Sequence, residues 1–195
     1  MRRTLLLTLL AVVAVVAGAV LYVTRTNPVW YERLRYPLRY SEYVRVHADE
    51  HGLDPALLAA VIYQESKFRS GVVSSSGAIG LMQLTPSTAR GIAIRTGGNA
   101  FRTADLYNPE INIRYGAWYL DNLFKKYGNE KLVLAAYNAG QGNVDRWRAQ
   151  GEGIQFPETR AYVKRVEHLE SIYRRAWHSK LYSTSAGDVA RFLVA

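Results

Sequence analysis

The chain contains no cysteine. That excludes disulfides, a thiol nucleophile, thiolate-held metals and a lipidated N-terminal cysteine. Histidine is scarce, with 4 residues, and only His47 and His51 stand at helical i, i+4 spacing. A pair on a helix surface accounts for that spacing, so neither a metal centre nor a cofactor is expected. No run of Lys and Arg reaches five residues and no nucleic-acid motif is present, which argues against a nucleic-acid partner. Gly97-Gly98 precedes no suitable lysine, so no phosphate-cradling loop is expected. No segment alternates apolar and polar residues over a useful strand length, and no internal repeat stands out.

What is present is basic and aromatic. The formal net charge is +9, and the chain carries 14 Tyr and 4 Trp. A basic protein is drawn to polyanions, of which anionic lipid headgroups and an anionic cell wall fit this composition best. Tyr and Trp serve cores and surfaces equally well, but their flat amphipathic rings also stack on sugar faces.

Leu5 to Val23 is an unbroken uncharged run preceded by Arg2 and Arg3. Its length approaches the roughly 20 residues that span a bilayer as a helix. Residues 1–24 are therefore predicted to be a membrane anchor or signal. Ala17-Gly18-Ala19 resembles a cleavage site, yet the run is longer than a usual signal core. Arg25, Arg33, Arg35 and Arg39 follow the run, so the charge rule does not set the topology. Residues 25–39, with prolines at 28 and 37, read as a juxtamembrane linker.

Residues 40–178 read as one all-α domain. Ser41 is placed as the cap of a first helix ending near Gly52. Asp54-Pro55 starts a second that runs to about Phe68. A Ser- and Gly-rich loop spans Arg69 to Gly80. Thr85-Pro86 and Asn108-Pro109 start two more helices, the latter with Ile113, Ala117, Leu120 and Phe124 on one face and Gly128 at its end. Short helices follow over Leu132–Ala139 and from Asn143 to about Gln150. Glu158 to about Trp177 forms the last, with Val163, Val166, Leu169 and Tyr173 in register. Residues 179–195 read as a loosely ordered tail.

Glu65 is the most informative residue. Leu58, Val61 and Ile62 precede it by seven, four and three positions, so the carboxyl projects from an apolar stripe. Burial there raises a carboxyl pKa and suits it to donate a proton. The same spacing equally allows a rim glutamate paired with Lys67 or Arg69. Beyond it, Ser74 to Gly80 forms a polar loop, and Gly80-Leu81-Met82-Gln83 joins a soft apolar side chain to an amide.

Glu65-Ser66, Gly80-Leu81-Met82-Gln83 and Ala136-Tyr137-Asn138-Ala139-Gly140 occur in that order, with Ser74 nine positions after Glu65 and Gln83 eighteen. With Leu106–Ile113 and Phe156–Val163, they resemble the catalytic domain of the soluble-type lytic transglycosylases, glycoside hydrolase family 23. The resemblance covers roughly Tyr40 to Ala176. It implies a lysozyme-like helical fold and cleavage of the MurNAc–GlcNAc bond of peptidoglycan glycan strands, leaving 1,6-anhydromuramyl ends. It implies Glu65 as the acid/base and Ser74 near the N-acetyl group of the muramyl sugar. Met82, Gln83 and Tyr137 are implied to contact the glycan, Asn138 to support its turn, and Glu158 and Tyr162 to line or order the cleft. A single carboxyl suffices in that family, and no Asp or Glu lies between Lys67 and Arg102. A membrane partner is implied only by the N-terminal run, the extracytoplasmic placement only by the chemistry, and nothing sets the oligomeric state.

Overall fold

The computed structural model describes residues 2–98 and 100–183. The chain divides into two compact units, residues 1–37 and 38–195.

The first unit holds α1 (Arg2–Thr26) and α2 (Val29–Arg35). None of α1's residues is buried by protein, and it is long and apolar enough to cross a membrane. At 25 residues, α1 extends about 37 Å, against a hydrocarbon core of about 30 Å. Its threonines satisfy themselves locally. Thr8, Thr24 and Thr26 donate to the carbonyls of Thr4, Val20 and Tyr22 at 3.1, 2.9 and 2.8 Å. Such back-bonding keeps hydroxyls paired where water is absent. Within the expected linker, Asn27, at φ 42°, and Pro28 close α1 and open α2.

Among the described residues, the second unit holds eight helices, one of them α4 (Pro55–Ser66), and one 3-10 turn (Thr103–Tyr107). The others are α3 (Ser41–Glu50), α5 (Pro86–Arg95), α6 (Pro109–Tyr127), α7 (Glu130–Ala139), α8 (Gln141–Ala149), α9 (Pro157–Ala176) and α10 (His178–Leu181). Every residue from Ala56 to Ile62 is buried, so α4 is apolar on all sides and survives only when wrapped. Its most extensive partner is α9, which brings Val163, Val166, Leu169 and Tyr173 to the core. The start signals behave as read: the side chains of Asp54, Thr85 and Asn108 accept from the backbone amides of Ala56, Thr88 and Glu110 at 2.7, 3.1 and 2.9 Å.

Four expectations are corrected. Ser41 is not a cap; the capping position belongs to Tyr40, at φ 54°, with no side-chain bond. α4 stops at Ser66 rather than Phe68 because Lys67 and Phe68 both turn left-handed, at φ 55° and 59°. That turn buries Phe68 against Tyr173, with ring centroids 6.1 Å apart. α7 begins earlier than read, where the Asn129 side chain accepts from the Leu132 amide at 3.2 Å. Finally, the start of the expected tail is docked. Leu181 is buried, the Tyr182 hydroxyl donates to Asp54 Oδ1 at 2.6 Å, and Arg174 pairs with Asp54 at 2.7 Å. Residues 184–195 lie outside the described residues.

The Gly80–Gln83 turn rests on Asn112, a fully buried asparagine inside α6. Its Nδ2 donates to the carbonyls of Ile79 and Leu106 at 3.0 and 2.8 Å, and its Oδ1 accepts from the Met82 amide at 2.8 Å. Gly80 packs against it so closely that a Cβ there would lie 2.2 Å from Asn112 Nδ2, and its φ is +83°. Asn112→Ala would strand the Met82 amide and the Leu106 carbonyl at about 1–3 kcal/mol each, while the Ile79 carbonyl keeps the Leu84 amide at 3.1 Å. We expect about 3–5 kcal/mol of destabilisation, read as a lower midpoint in urea unfolding.

Candidate active site

Glu65 sits in the last turn of α4, half-buried, facing α9. The Tyr162 hydroxyl, from α9, donates to Glu65 Oε1 at 2.6 Å. Burial pushes the carboxyl up from 4.5 to about 7, with the Tyr162 hydrogen bond opposing the rise. Neither Lys67 nor Arg69 pairs with it. The Lys67 ammonium lies 4.2 Å over the Tyr63 ring, and Arg69 Nε donates to the Ser66 carbonyl at 3.1 Å. The rim-glutamate alternative is therefore not the one the fold adopts.

Two phenols stand near this carboxyl, and a third backs one of them. Burial, followed by the nearby charge of Glu65, pushes the Tyr162 and Tyr137 hydroxyls well above the ordinary phenol value. Both remain protonated donors. Tyr137, from α7, spends its proton on the Met82 carbonyl at 2.7 Å, which ties the Gly80–Gln83 turn to the floor of the site. The Tyr119 ring, from α6, lies 5.5 Å from that of Tyr137.

The other expected residues divide clearly. Met82 does not offer its side chain to a ligand. It is 0% exposed and fills the space left by Gly116, where a Cβ would come within 2.1 Å of its sulfur. Its part is played by its backbone, through Asn112 and Tyr137. Gln83, at φ 50°, donates its side-chain amide to the carbonyls of Val72 and Gly80 at 3.2 and 2.9 Å, so those hydrogens hold the loop. The Ser74 hydroxyl meets Ser76 Oγ at 2.9 Å and accepts from the Ala78 amide at 3.0 Å, shaping the same loop. Asn138 Oδ1 accepts from Thr159 Oγ1 at 2.8 Å, which fastens the end of α7 to the start of α9. Glu158 is exposed in the first turn of α9 and is not bonded to Glu65.

Sequence reading missed Tyr119, Asn112 and Gly116 as parts of the site. They stand at i, i+4 and i+7 on α6, one helical face, and an asparagine between Ile111 and Ile113 was the available signal of a buried polar clamp. His47 and His51 serve elsewhere. His47 lies 2.7 Å from Glu50 and 3.4 Å from Glu110, and His51 3.3 Å from Asp121, so both join α3 to α6.

A buried carboxyl that holds its proton near neutrality can deliver it to a leaving oxygen. The Tyr162 bond occupies Oε1 and leaves Oε2 to carry that proton. The folded carboxyl keeps its proton to about pH 7, whereas the ordinary value for the group is 4.5. Stability from this group is thus full below about 4.5 and lost as pH rises through about 7. Glu65→Gln removes the titration and retains an acceptor for Tyr162. Its stability is expected to exceed the wild-type value increasingly between pH 5 and 8, by up to about 3 kcal/mol, read as a widening difference in thermal midpoint. Tyr162→Phe removes the bond that favours the ionised form. It is expected to move the Glu65 titration upward by about one pH unit, read by NMR of the labelled carboxyl carbon.

Comparison with known proteins places this geometry. A family model described as the transglycosylase SLT domain matches residues 42–156. The soluble lytic murein transglycosylase of Escherichia coli is 33% identical over 169 residues, covering 80% of this chain and 26% of that protein. The membrane-bound lytic murein transglycosylase F of Pseudomonas fluorescens is 32% identical over 151 residues, covering 73% of this chain and 29% of that one. The crystal structure of the 70 kDa soluble lytic transglycosylase of Escherichia coli superposes with a TM-score of 0.71 at 31% identity, covering 81% of this chain and 28% of that one. An inactive glutamate-to-glutamine mutant of lytic transglycosylase Slt from Pseudomonas aeruginosa gives 0.69 at 32%, covering 80% and 27%. The chain thus spans about a quarter of the length of these curated relatives. With the matched region covering more than half of the chain, the protein belongs to the transglycosylase SLT domain family.

Proposed function

We propose that this protein is a peptidoglycan lytic transglycosylase, cleaving the β-1,4 bond between MurNAc and GlcNAc without consuming water. The observation that carries the reading is the isolation of Glu65. Among the described residues, the influences on its carboxyl are its own burial and the Tyr162 hydroxyl, with no second carboxylate acting on it. Two-carboxyl glycosidases need a partner at about 5–5.5 Å for retention or about 6.5–9.5 Å for inversion. A lone carboxyl serves a reaction in which one group acts twice. Protonated Glu65 delivers its proton to the glycosidic oxygen as the C1–O bond breaks, and the MurNAc N-acetyl group steadies the positive charge at C1. The resulting carboxylate then takes the proton of the C6 hydroxyl as that oxygen bonds to C1. The proton count closes on Glu65, and the strand gains a 1,6-anhydro end.

Tyr162 orients Glu65 and steadies the carboxylate between the two steps. Tyr137 acts by holding the Met82 turn against the site, with Gln83 and Ser74 shaping the loop beside it. Asn138 fixes the end of α7, and Glu158 lies on the α9 rim. α1 anchors the chain in a membrane, and the catalytic domain stands on the extracytoplasmic side, where the wall lies. A relative named membrane-bound supports the membrane association.

Digestion of purified sacculi followed by mass spectrometry tests the proposal. Anhydromuramyl ends are expected, and Glu65→Gln is expected to lower their release by about a thousandfold or more while the protein stays folded. Reducing ends would instead identify a hydrolytic muramidase, and release of neither a wall-binding module without activity. Activity is expected to fall as pH rises above about 7, because the first step needs the protonated carboxyl.

A further inference from the structure

The uncharged run Leu5 to Val23 extends about 28 Å as a helix, close to a hydrocarbon thickness of about 30 Å. A span of that length brings Thr24 to Thr26 into the headgroup layer. There the helix stops. Asn27 takes φ 42°, and Pro28, at φ −61° and ψ 148°, is extended. A left-handed residue followed by extended backbone frees α2 from the axis of α1, so α2 is not obliged to run on into water.

Three observations describe what α2 suits. First, Trp30 and Leu34 stand at i, i+4 on one face and are 60% and 76% exposed. Single exposed apolar side chains are ordinary, but two large ones paired on one face directly after an apolar span mark a contact surface. Second, the Trp30 ring meets Tyr31 edge-on, with centroids 5.9 Å apart, and the Tyr31 hydroxyl accepts from Arg35 Nη1 at 3.4 Å. Trp and Tyr, with an apolar body and a polar tip, suit the boundary between lipid and water. Third, residues 24–37 carry Arg25, Arg33 and Arg35, all exposed, against one acid, Glu32. Glu32 is 3% exposed, so the charge that α2 presents outward is positive.

We infer that α2 lies in the membrane–water boundary of the bilayer that holds α1, with Trp30 and Leu34 inserted beneath the headgroups and Arg33 and Arg35 against anionic lipid. The inference rests on the reading of α1 as an anchor and goes beyond it, since an anchor alone leaves the next segment in water. The occupant of this face is a lipid surface for two reasons. The face follows at once on a span that itself requires lipid, and the charge around it complements anionic headgroups. The consequence is reach. Only Tyr36 to Tyr40 separate α2 from α3, at most about 20 Å of extended chain. Held at the boundary, α2 keeps the start of the catalytic domain within that distance of the headgroups and directs it to the glycan strands nearest the membrane.

The absence of cysteine allows single spin labels on the full chain in lipid nanodiscs, at Ala14→Cys, Leu34→Cys and Glu152→Cys. Oxygen concentrates in lipid and a nickel chelate stays in water, so their relaxation effects read immersion. In discs containing phosphatidylglycerol, the Leu34→Cys label is expected to be shielded from nickel about 5-fold relative to the exposed Glu152→Cys label. In discs of phosphatidylcholine alone, that shielding is expected to fall about 3-fold as the arginines lose their counter-charges. Equal nickel access at Leu34→Cys and Glu152→Cys in the anionic discs overturns the proposal, and equal shielding in both kinds of disc overturns the part given to anionic lipid. Because Leu34 itself belongs to the contact, lipids brominated just below the headgroup give a second reading. They are expected to quench the wild type more than Trp30→Phe; equal quenching overturns the proposal. The Ala14→Cys label separates the two readings. If it is shielded while Leu34→Cys is open to nickel, the anchor stands and the α2 proposal alone fails. If it is open to nickel, the anchor reading fails and the proposal with it.

Discussion

The packing of α4 on α9 is the contact on which everything else in the domain hangs. α4 is apolar around its whole circumference from Ala56 to Ile62, so it has no stable existence outside a shell of neighbours. Past Ile62 the helix turns polar at Tyr63, Gln64 and Glu65, and the Glu65 carboxyl stays half-buried against α9. A charge at that position loses its hydration and gains one phenol in return. The shift toward neutrality is thus a direct product of core formation, and acid chemistry comes with the fold rather than being added to it.

Around that carboxyl, the site is assembled less by side chains reaching toward a ligand than by backbone held in place. Asn112 supports the Gly80–Gln83 turn from below, and the Tyr137 hydroxyl holds the Met82 carbonyl from the side. Gly116 gives Met82 the room to bury itself. A turn fixed from several directions presents a constant wall to whatever lies over Glu65, which is the preorganisation that proton transfer between heavy atoms at short range requires.

Much of this was legible in the sequence. The caps at Asp54, Thr85 and Asn108 announced themselves because side-chain oxygen followed by proline is a local signal, read without knowledge of the rest of the chain. The apolar stripe beneath Glu65 was visible for the same reason. Local spacing could not say whether Glu65 would turn inward to Tyr162 or outward to Lys67, since Tyr162 lies 97 positions away. The burial of Met82 was misjudged because it depends on an absent side chain at Gly116, on another helix. The docking of Tyr182 was missed because it needs Asp54, whose capping role was recognised but whose second oxygen-bound partner was not.

That last contact has a consequence for how the fold can vary. α4 is held by a tyrosine hydroxyl on a carboxylate at each end: Tyr182 on Asp54 before it, and Tyr162 on Glu65 in its final turn, both at 2.6 Å. The helix is therefore pinned along its own axis by chain that comes much later. The polar loop that leaves α4 at Arg69 carries none of that restraint. Insertions or exchanges at Ser70 and Gly71, ahead of the Val72 carbonyl that Gln83 and Gly80 hold, can reshape the loop while the acid keeps its depth.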